Sequence, residues 1–142
     1  MPYATLADIL EQLPEIELIG LTDDAGAGTV DDAVVDRAIA DADAFIDAHC
    51  QGRYPVPLSP APSIIRSLSV DLAIYNLFSR RPVVEVPEAR KDRRQTAIGF
   101  LVKVAEGKIL LGAASPEPTT TGQAGLVSGN GRIFTRDSMG GL

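Results

Sequence analysis

The sequence predicts an all-α fold: a small antiparallel bundle of about four helices around a central buried helix, with an extended C-terminal arm. Three observations predict it. Apolar residues recur at helical spacing in four separate stretches between Thr5 and Glu106. One of those stretches, Ser63 to Arg81, is apolar on more than one face. After Gly112 the composition shifts to Gly, Ser, Thr and Pro, with only Leu126, Val127, Ile133, Phe134, Met139 and Leu142 large and apolar. The chain thus divides into a helical body, 1–112, and an arm, 113–142, that lacks the apolar content to fold alone.

In the central stretch, SIIRSLSVDLAIYNLFSRR, Ile65, Leu68, Leu72 and Tyr75 make one face, and Val70, Ile74, Leu77 and Phe78 make another. A surface helix has a single apolar stripe, so this one has to be wrapped by others. Pro62 suits the first turn, where a missing N–H costs nothing. Pro82 ends the helix by pushing the residue before it out of α conformation. One charge, Asp71, is set among the apolar faces and needs a partner. Arg53 and Tyr54, in the loop that leads into this helix, are the expected partners of a structural ion pair.

The first helix opens at Thr5, where T-x-x-D with Asp8 is an N-cap pattern. Leu6, Ile9, Leu10 and Leu13 follow at i, i+3, i+4 and i+7, and Pro14 stops the helix. Glu15 to Leu21 can add one more turn, and LTDDAGAG reads as a loop. Thr29 with Asp32 repeats the capping pattern and opens a helix running to about Gln51, with Gly52 as its stop. Its core stripe is Val35, Ala38, Ile39, Ala42, Phe45, Ile46 and His49. Asp36, Asp43 and Asp47 fall on an opposite face, with Asp32 at its start. Carboxylates strung along a helix do not wrap a hard cation as a loop does, so this is read as a solvated or partner-facing surface.

GRYPVPLSPAP, with four prolines in eleven residues, is a stiff interhelical connection. Beyond Pro82, VVEV is a short β-like linker. Pro87 opens the last helix, from about Glu88 to Glu106. Arg90, Lys91, Arg93 and Arg94 should stay exposed as a basic patch facing another protein. Ala97, Ile98, Leu101, Val102 and Ala105 should pack on the core. Gly107 ends the helix, and Lys103 and Lys108 suit its negative end.

Composition bounds the function. The 142 residues give one domain with one core, and 45% of them are hydrophobic. No apolar run approaches the roughly 20 residues that span a bilayer, and the N-terminus lacks the features of a signal peptide. A lone cysteine, Cys50, excludes an internal disulfide. The formal charge of −6 argues against DNA binding as the main task. Residues 1–50 hold twelve acids against Arg37 alone, and residues 51–142 hold twelve bases against seven acids. Such a split suits head-to-tail assembly of copies.

Nothing in the sequence asks for an enzyme or a cofactor. His49 lies on an apolar stripe, and Cys50 beside it points about 100° away on the helix. There is no P-loop, dinucleotide fingerprint or zinc spacing, and GNGRIF is too poor in glycine to cradle a phosphate.

Taken together, YATLADIL, the loop GRYPVPL, the helix containing VDLAIYNL and the closing RIFTRDSMGGL resemble the neck proteins of Mu-like tailed phages and prophages, the head–tail connector or adaptor family. The resemblance covers nearly the whole chain. It implies a structural virion protein, made in the bacterial cytoplasm. Copies would form a ring, dodecameric to match the portal, beneath the portal protein. The ring would extend the DNA channel, pass DNA only as cargo, and carry the next neck or tail-completion protein. It involves no membrane. By motif position the arm would contact the portal or a neighbouring copy through Arg132, Ile133, Phe134, Arg136, Asp137, Met139 and Leu142. In such a ring the acidic face of Asp36, Asp43 and Asp47 would line the channel or meet the basic patch of the adjacent copy. The rival from another class is a small acidic binding or regulatory module of DNA-mimic type.

Overall fold

The computed structural model of the chain describes residues 2–112, which form five helices: α1 (Leu6–Leu10), α2 (Glu15–Thr22), α3 (Asp32–Cys50), α4 (Ser63–Ser79) and α5 (Glu88–Ala105). The fold is an all-α bundle, as the periodicity predicts. The helix α4 is its axis: it packs against α3 and α5, which also meet each other, while α1 and α2 close one side.

The axis is apolar because it is enclosed. Ile65, Leu68, Leu72, Val70, Ile74, Leu77 and Phe78 are buried, and Ser69 and Ala73 fill the remaining sides. Ile74 and Leu77 are wholly enclosed, so truncating either to Ala would cost about 2–5 kcal/mol. Tyr75 is only half-buried, because it faces α5 rather than the core centre.

Local signals fix the helix ends. Thr5 and Asp8 make a full capping box at α1: the Thr5 hydroxyl accepts from the Asp8 N–H, and the Asp8 carboxylate accepts from the Thr5 N–H at 2.8 Å. The stretch after Pro14 yields two helical turns, more than the single turn expected. The cap of α3 is Asp31, not Thr29. Its carboxylate accepts from the Ala33 and Val34 N–H groups, and its own N–H donates to the buried Thr22 hydroxyl at 3.1 Å. That tie holds Asp31 outside the helix and leaves Thr29 in the exposed loop. In that loop Asp23 accepts from Ala27 and Gly28, and these backbone bonds hold its carboxyl below the usual range.

α5 ends in a Schellman motif. Gly107 has φ +82°, its N–H donates to Val104, and the Lys108 N–H donates to Lys103 at 2.8 Å. The buried residues of α5 are Ala97, Leu101 and Val104. Ala97 and Leu101 are buried as expected and Ile98 is half-buried, but Val102 is 39% exposed and Ala105 faces solvent, and Val104 is buried in the last turn instead. Residues 83–86 form a turn and an irregular connection rather than a β-like segment.

Candidate interaction surface

The N-terminal residues tie α3, α4 and the proline-rich loop together. Tyr3 is buried, and its hydroxyl donates to Asp47 at 2.5 Å while accepting from the Leu58 N–H at 2.8 Å. The Tyr3 N–H donates to one oxygen of Asp43 at 2.9 Å, and the Ser69 hydroxyl of α4 donates to the other at 2.6 Å. Burial pushes the Tyr3 hydroxyl well above its ordinary pKa, reinforced by its bond to Asp47. Burial also pushes Asp43 up, against the two hydrogen bonds that hold its charged form.

Two of the three aspartates expected on an open acidic face are therefore part of an internal knot. Asp43 and Asp47 are half-buried, and only Asp36 stands exposed. The face is not flat: a groove of about 600 Å³ runs beside it, lined by Pro2, Ala4, Thr5 and Leu6 on one side and by Asp36, Ile39, Ala40, Asp43, Ala44 and Asp47 of α3 on the other. Tyr3 and Ser69 were missed in the sequence. A lone aromatic ahead of a capping box carries no periodic signal, and a serine on a buried helix face reads as filler.

The expected pairing of Asp71 is corrected. Asp71, with its side chain only 12% exposed, pairs with Arg93 of α5 at 3.0 Å. Arg53 is elsewhere: its Nε donates to the Ala105 carbonyl at 3.0 Å, at the C-terminal end of α5. Tyr54 is buried and its hydroxyl accepts from the Leu111 N–H at 3.1 Å. The reason is that α5 runs along α4, so the basic first half of α5 reaches Asp71 while the loop holding Arg53 meets the other end of α5.

The four cations expected to stay exposed divide: Lys91 and Arg93 are exposed, and Arg90 and Arg94 are half-buried. Arg90 donates to the Gln12 carbonyl at 3.0 Å and Arg93 to the Gln12 side chain at 3.2 Å. The Arg94 guanidinium lies 4.7 Å from the centre of the Tyr75 ring. Lys91 is exposed, 3.8 Å from Glu88. Three of the four cations thus have partners within the chain, and Arg93 keeps about half of its side chain exposed. At the far end of α4, Arg80 and Arg81 both hold Asp24 at 2.6 Å, and the Arg80 bond in particular keeps its carboxyl below the usual range.

His49 is half-buried, with Nδ1 3.0 Å from the Phe45 carbonyl, and Cys50 is buried with its thiol pushed up by burial. Among the described residues, no three His, Cys, Asp or Glu side chains converge as a metal site would require. No helix among them is long and apolar enough to cross a membrane. The expected arm contacts, Arg132, Ile133, Phe134, Arg136, Asp137, Met139 and Leu142, lie outside the described residues.

Comparison with known proteins adds the following. The family model described as bacteriophage Mu, Gp36 matches residues 3–128. Gene product J of Escherichia phage Mu is 32% identical over 146 residues, covering 99% of each chain. The Mu-like prophage FluMu protein gp36 of Haemophilus influenzae is 33% identical over 117 residues, covering 82% of this chain and 80% of the relative.

Proposed function

The chain belongs to the bacteriophage Mu Gp36 family, and from that premise we propose that it is a non-enzymatic structural protein of the phage neck. In this reading copies assemble into a ring, dodecameric to match the portal, that sits beneath the portal protein. The ring extends the DNA channel and joins the head to the next neck or tail-completion protein. The observation that carries the reading is the extent of the likeness: it runs over 99% of the phage Mu relative and so includes both the helical body and the RIFTRDSMGGL segment.

The body supports it in chemical terms. Several of its polar side chains bond between elements of the body, as in the Tyr3–Asp43–Asp47–Ser69 knot and the Asp71–Arg93 pair. That arrangement rigidifies a subunit instead of presenting groups to a reactant. The exposed Asp36 on α3 suits a wall past which DNA slides, because a carboxylate repels phosphate and does not grip it.

The test is the native mass of the purified full-length chain, alone and mixed with its portal, together with electron images of the particles. Rings, or ring-shaped density added under the portal, are expected. A monomer or dimer that never associates with portal overturns the reading and favours the acidic binding module. Deleting residues 126–142 should leave the body's melting temperature nearly unchanged and abolish attachment.

A further inference from the structure

We propose that the groove between residues 2–6 and α3 receives the C-terminal segment of a neighbouring copy, through the sequence Arg132-Ile133-Phe134-Thr135-Arg136. The inference rests on the ring reading above for the presence of that neighbour. It assigns the acidic groove a ligand: an extended peptide carrying two arginines on either side of an aromatic ring.

The groove has an apolar floor, with Leu6, Ile39, Ala40 and Ala44, and a carboxylate rim. Asp43 has both oxygens engaged by Tyr3 and Ser69, whereas Asp47 gives one oxygen to the Tyr3 hydroxyl. Asp36 is exposed, so Asp36 and Asp47 keep acceptor capacity. At 1.5 Å per residue they stand about 16 Å apart along the helix. In an extended segment alternate side chains share a side, so Arg132, Phe134 and Arg136 project together. At about 3.3 Å per residue the two arginines stand about 13 Å apart, within side-chain reach of the two carboxylates. The small Ala40 and Ala44 between the carboxylates leave room for the ring of Phe134. Arginine suits the rim because it binds a carboxylate through two parallel N–H donors, and the aromatic residue supplies an apolar anchor.

Beyond residue 50 the arginines of the body are engaged, Arg66 the most loosely at 3.8 Å from Asp8. Each one there already has a partner within its own chain, a carbonyl, a carboxylate, an amide or the Tyr75 ring. Arg132 and Arg136 are the arginines of the remaining sequence. Nineteen residues lie between Gly112 and Arg132, a tether of up to about 65 Å when extended. Passing the same segment into the same groove around a closed ring leaves no groove empty, as a head-to-tail interface requires.

The experiment uses the full-length double variant Ala44→Cys/Ser138→Cys, treated with a short bis-maleimide linker at assembling concentration, with particle mass measured in parallel. The native Cys50 is wholly buried and so is shielded from the reagent. Ser138 lies on the same side of an extended segment as Arg136. The expected result is a ladder of linked copies. Adding Asp36→Arg should reduce the linked fraction at least tenfold, and further adding Arg132→Asp or Arg136→Asp should restore it. A link confined within single chains overturns the proposal. So do rings that form without linking, or a linked fraction indifferent to Asp36→Arg; in these cases the ring reading stands. A chain that forms no multi-copy particle under any condition overturns the ring reading and this inference with it.

Discussion

Arg53 and Gly107 occupy adjoining space at the end of α5: a Cβ added to Gly107 would lie 2.6 Å from the guanidinium carbon of Arg53, while Arg53 Nε donates to the Ala105 carbonyl at 3.0 Å. Its φ of +82° is what requires glycine, and a Cβ there would push the flexible end of Arg53 aside. Gly107→Ala should cost about 1–2 kcal/mol for the left-handed backbone alone, and should also displace Arg53. Arg53→Ala should cost about 0.3–1 kcal/mol as a lost cation at a helix C-terminus. In urea unfolding the double variant should lose less than the sum of the two. Simple additivity would show that the residues do not share the site.

Asp71 and Arg93 give a second prediction. Asp71→Ala should lower stability by about 1–2 kcal/mol, less than for a fully buried pair because Arg93 is half exposed. A double-mutant cycle with Arg93→Ala should show coupling, and a cycle with Arg53→Ala should show none. The reverse pattern would restore the pairing expected from sequence.

Tyr3→Phe keeps the ring and removes the hydroxyl that bridges Leu58 and Asp47. It leaves the buried Leu58 N–H without an acceptor, a loss of about 1–3 kcal/mol. Amide exchange at Leu58 should accelerate while exchange at Leu77, in the centre of α4, changes only with global stability. Equal acceleration at both would place the hydroxyl's effect in the whole fold, not in the knot.

The pH dependence has two opposed parts. The Asp43 pKa is raised in the folded state, chiefly by burial, so between its unfolded and folded values the folded chain binds a proton more readily than the unfolded chain. Its contribution is fully present below the unfolded pKa and is lost as pH rises through the folded value. Asp24 is lowered by Arg80 and Asp23 by backbone donors from Gly28 and Ala27, so their contributions are present above the unfolded value and lost as pH falls through their folded ones. From these groups, stability should peak near the ordinary carboxylate range. Urea midpoints across acidic pH should show Asp43→Asn flattening the fall on the alkaline side and Asp24→Asn flattening the fall on the acid side. Unchanged slopes in both variants would remove these groups from the account.

Much of the fold was legible because burial writes itself as periodicity. The two apolar faces of α4 announced a wrapped helix, and Thr5 with Asp8 and Gly107 marked helix ends correctly. Polar partners were not legible, since they depend on how helices lie against one another. Asp71 announced its need for a cation, but Arg53 and Arg93 were equally basic in sequence, and only the run of α5 along α4 chose between them. The acidic stripe of α3 was visible, yet the groove beside it was not, because its other wall is Pro2, Ala4, Thr5 and Leu6, residues with no helical pattern of their own before Leu6. The difference in the last turn of α5 has the same origin: Val102 and Val104 are alike chemically, and the neighbouring helix decides which is covered.

The Tyr3 knot spans 55 residues of sequence to reach Leu58, whereas the packing of α3, α4 and α5 joins helices that follow one another in the chain. Contacts that are short in sequence form early and cheaply, and a long-range tether docks onto what they have built. Detaching residues 2–4 breaks the three hydrogen bonds of Tyr3 and uncovers its ring and Ala4 without unpacking the axis helix, so amide exchange is expected to open this part before α4. The groove beside α3 therefore has one wall built on a long helix and one held in place by the bonds of a single residue, Tyr3. A segment seated in the groove would lean on Pro2 and Ala4, whose hold on α3 depends on the buried Tyr3 between them.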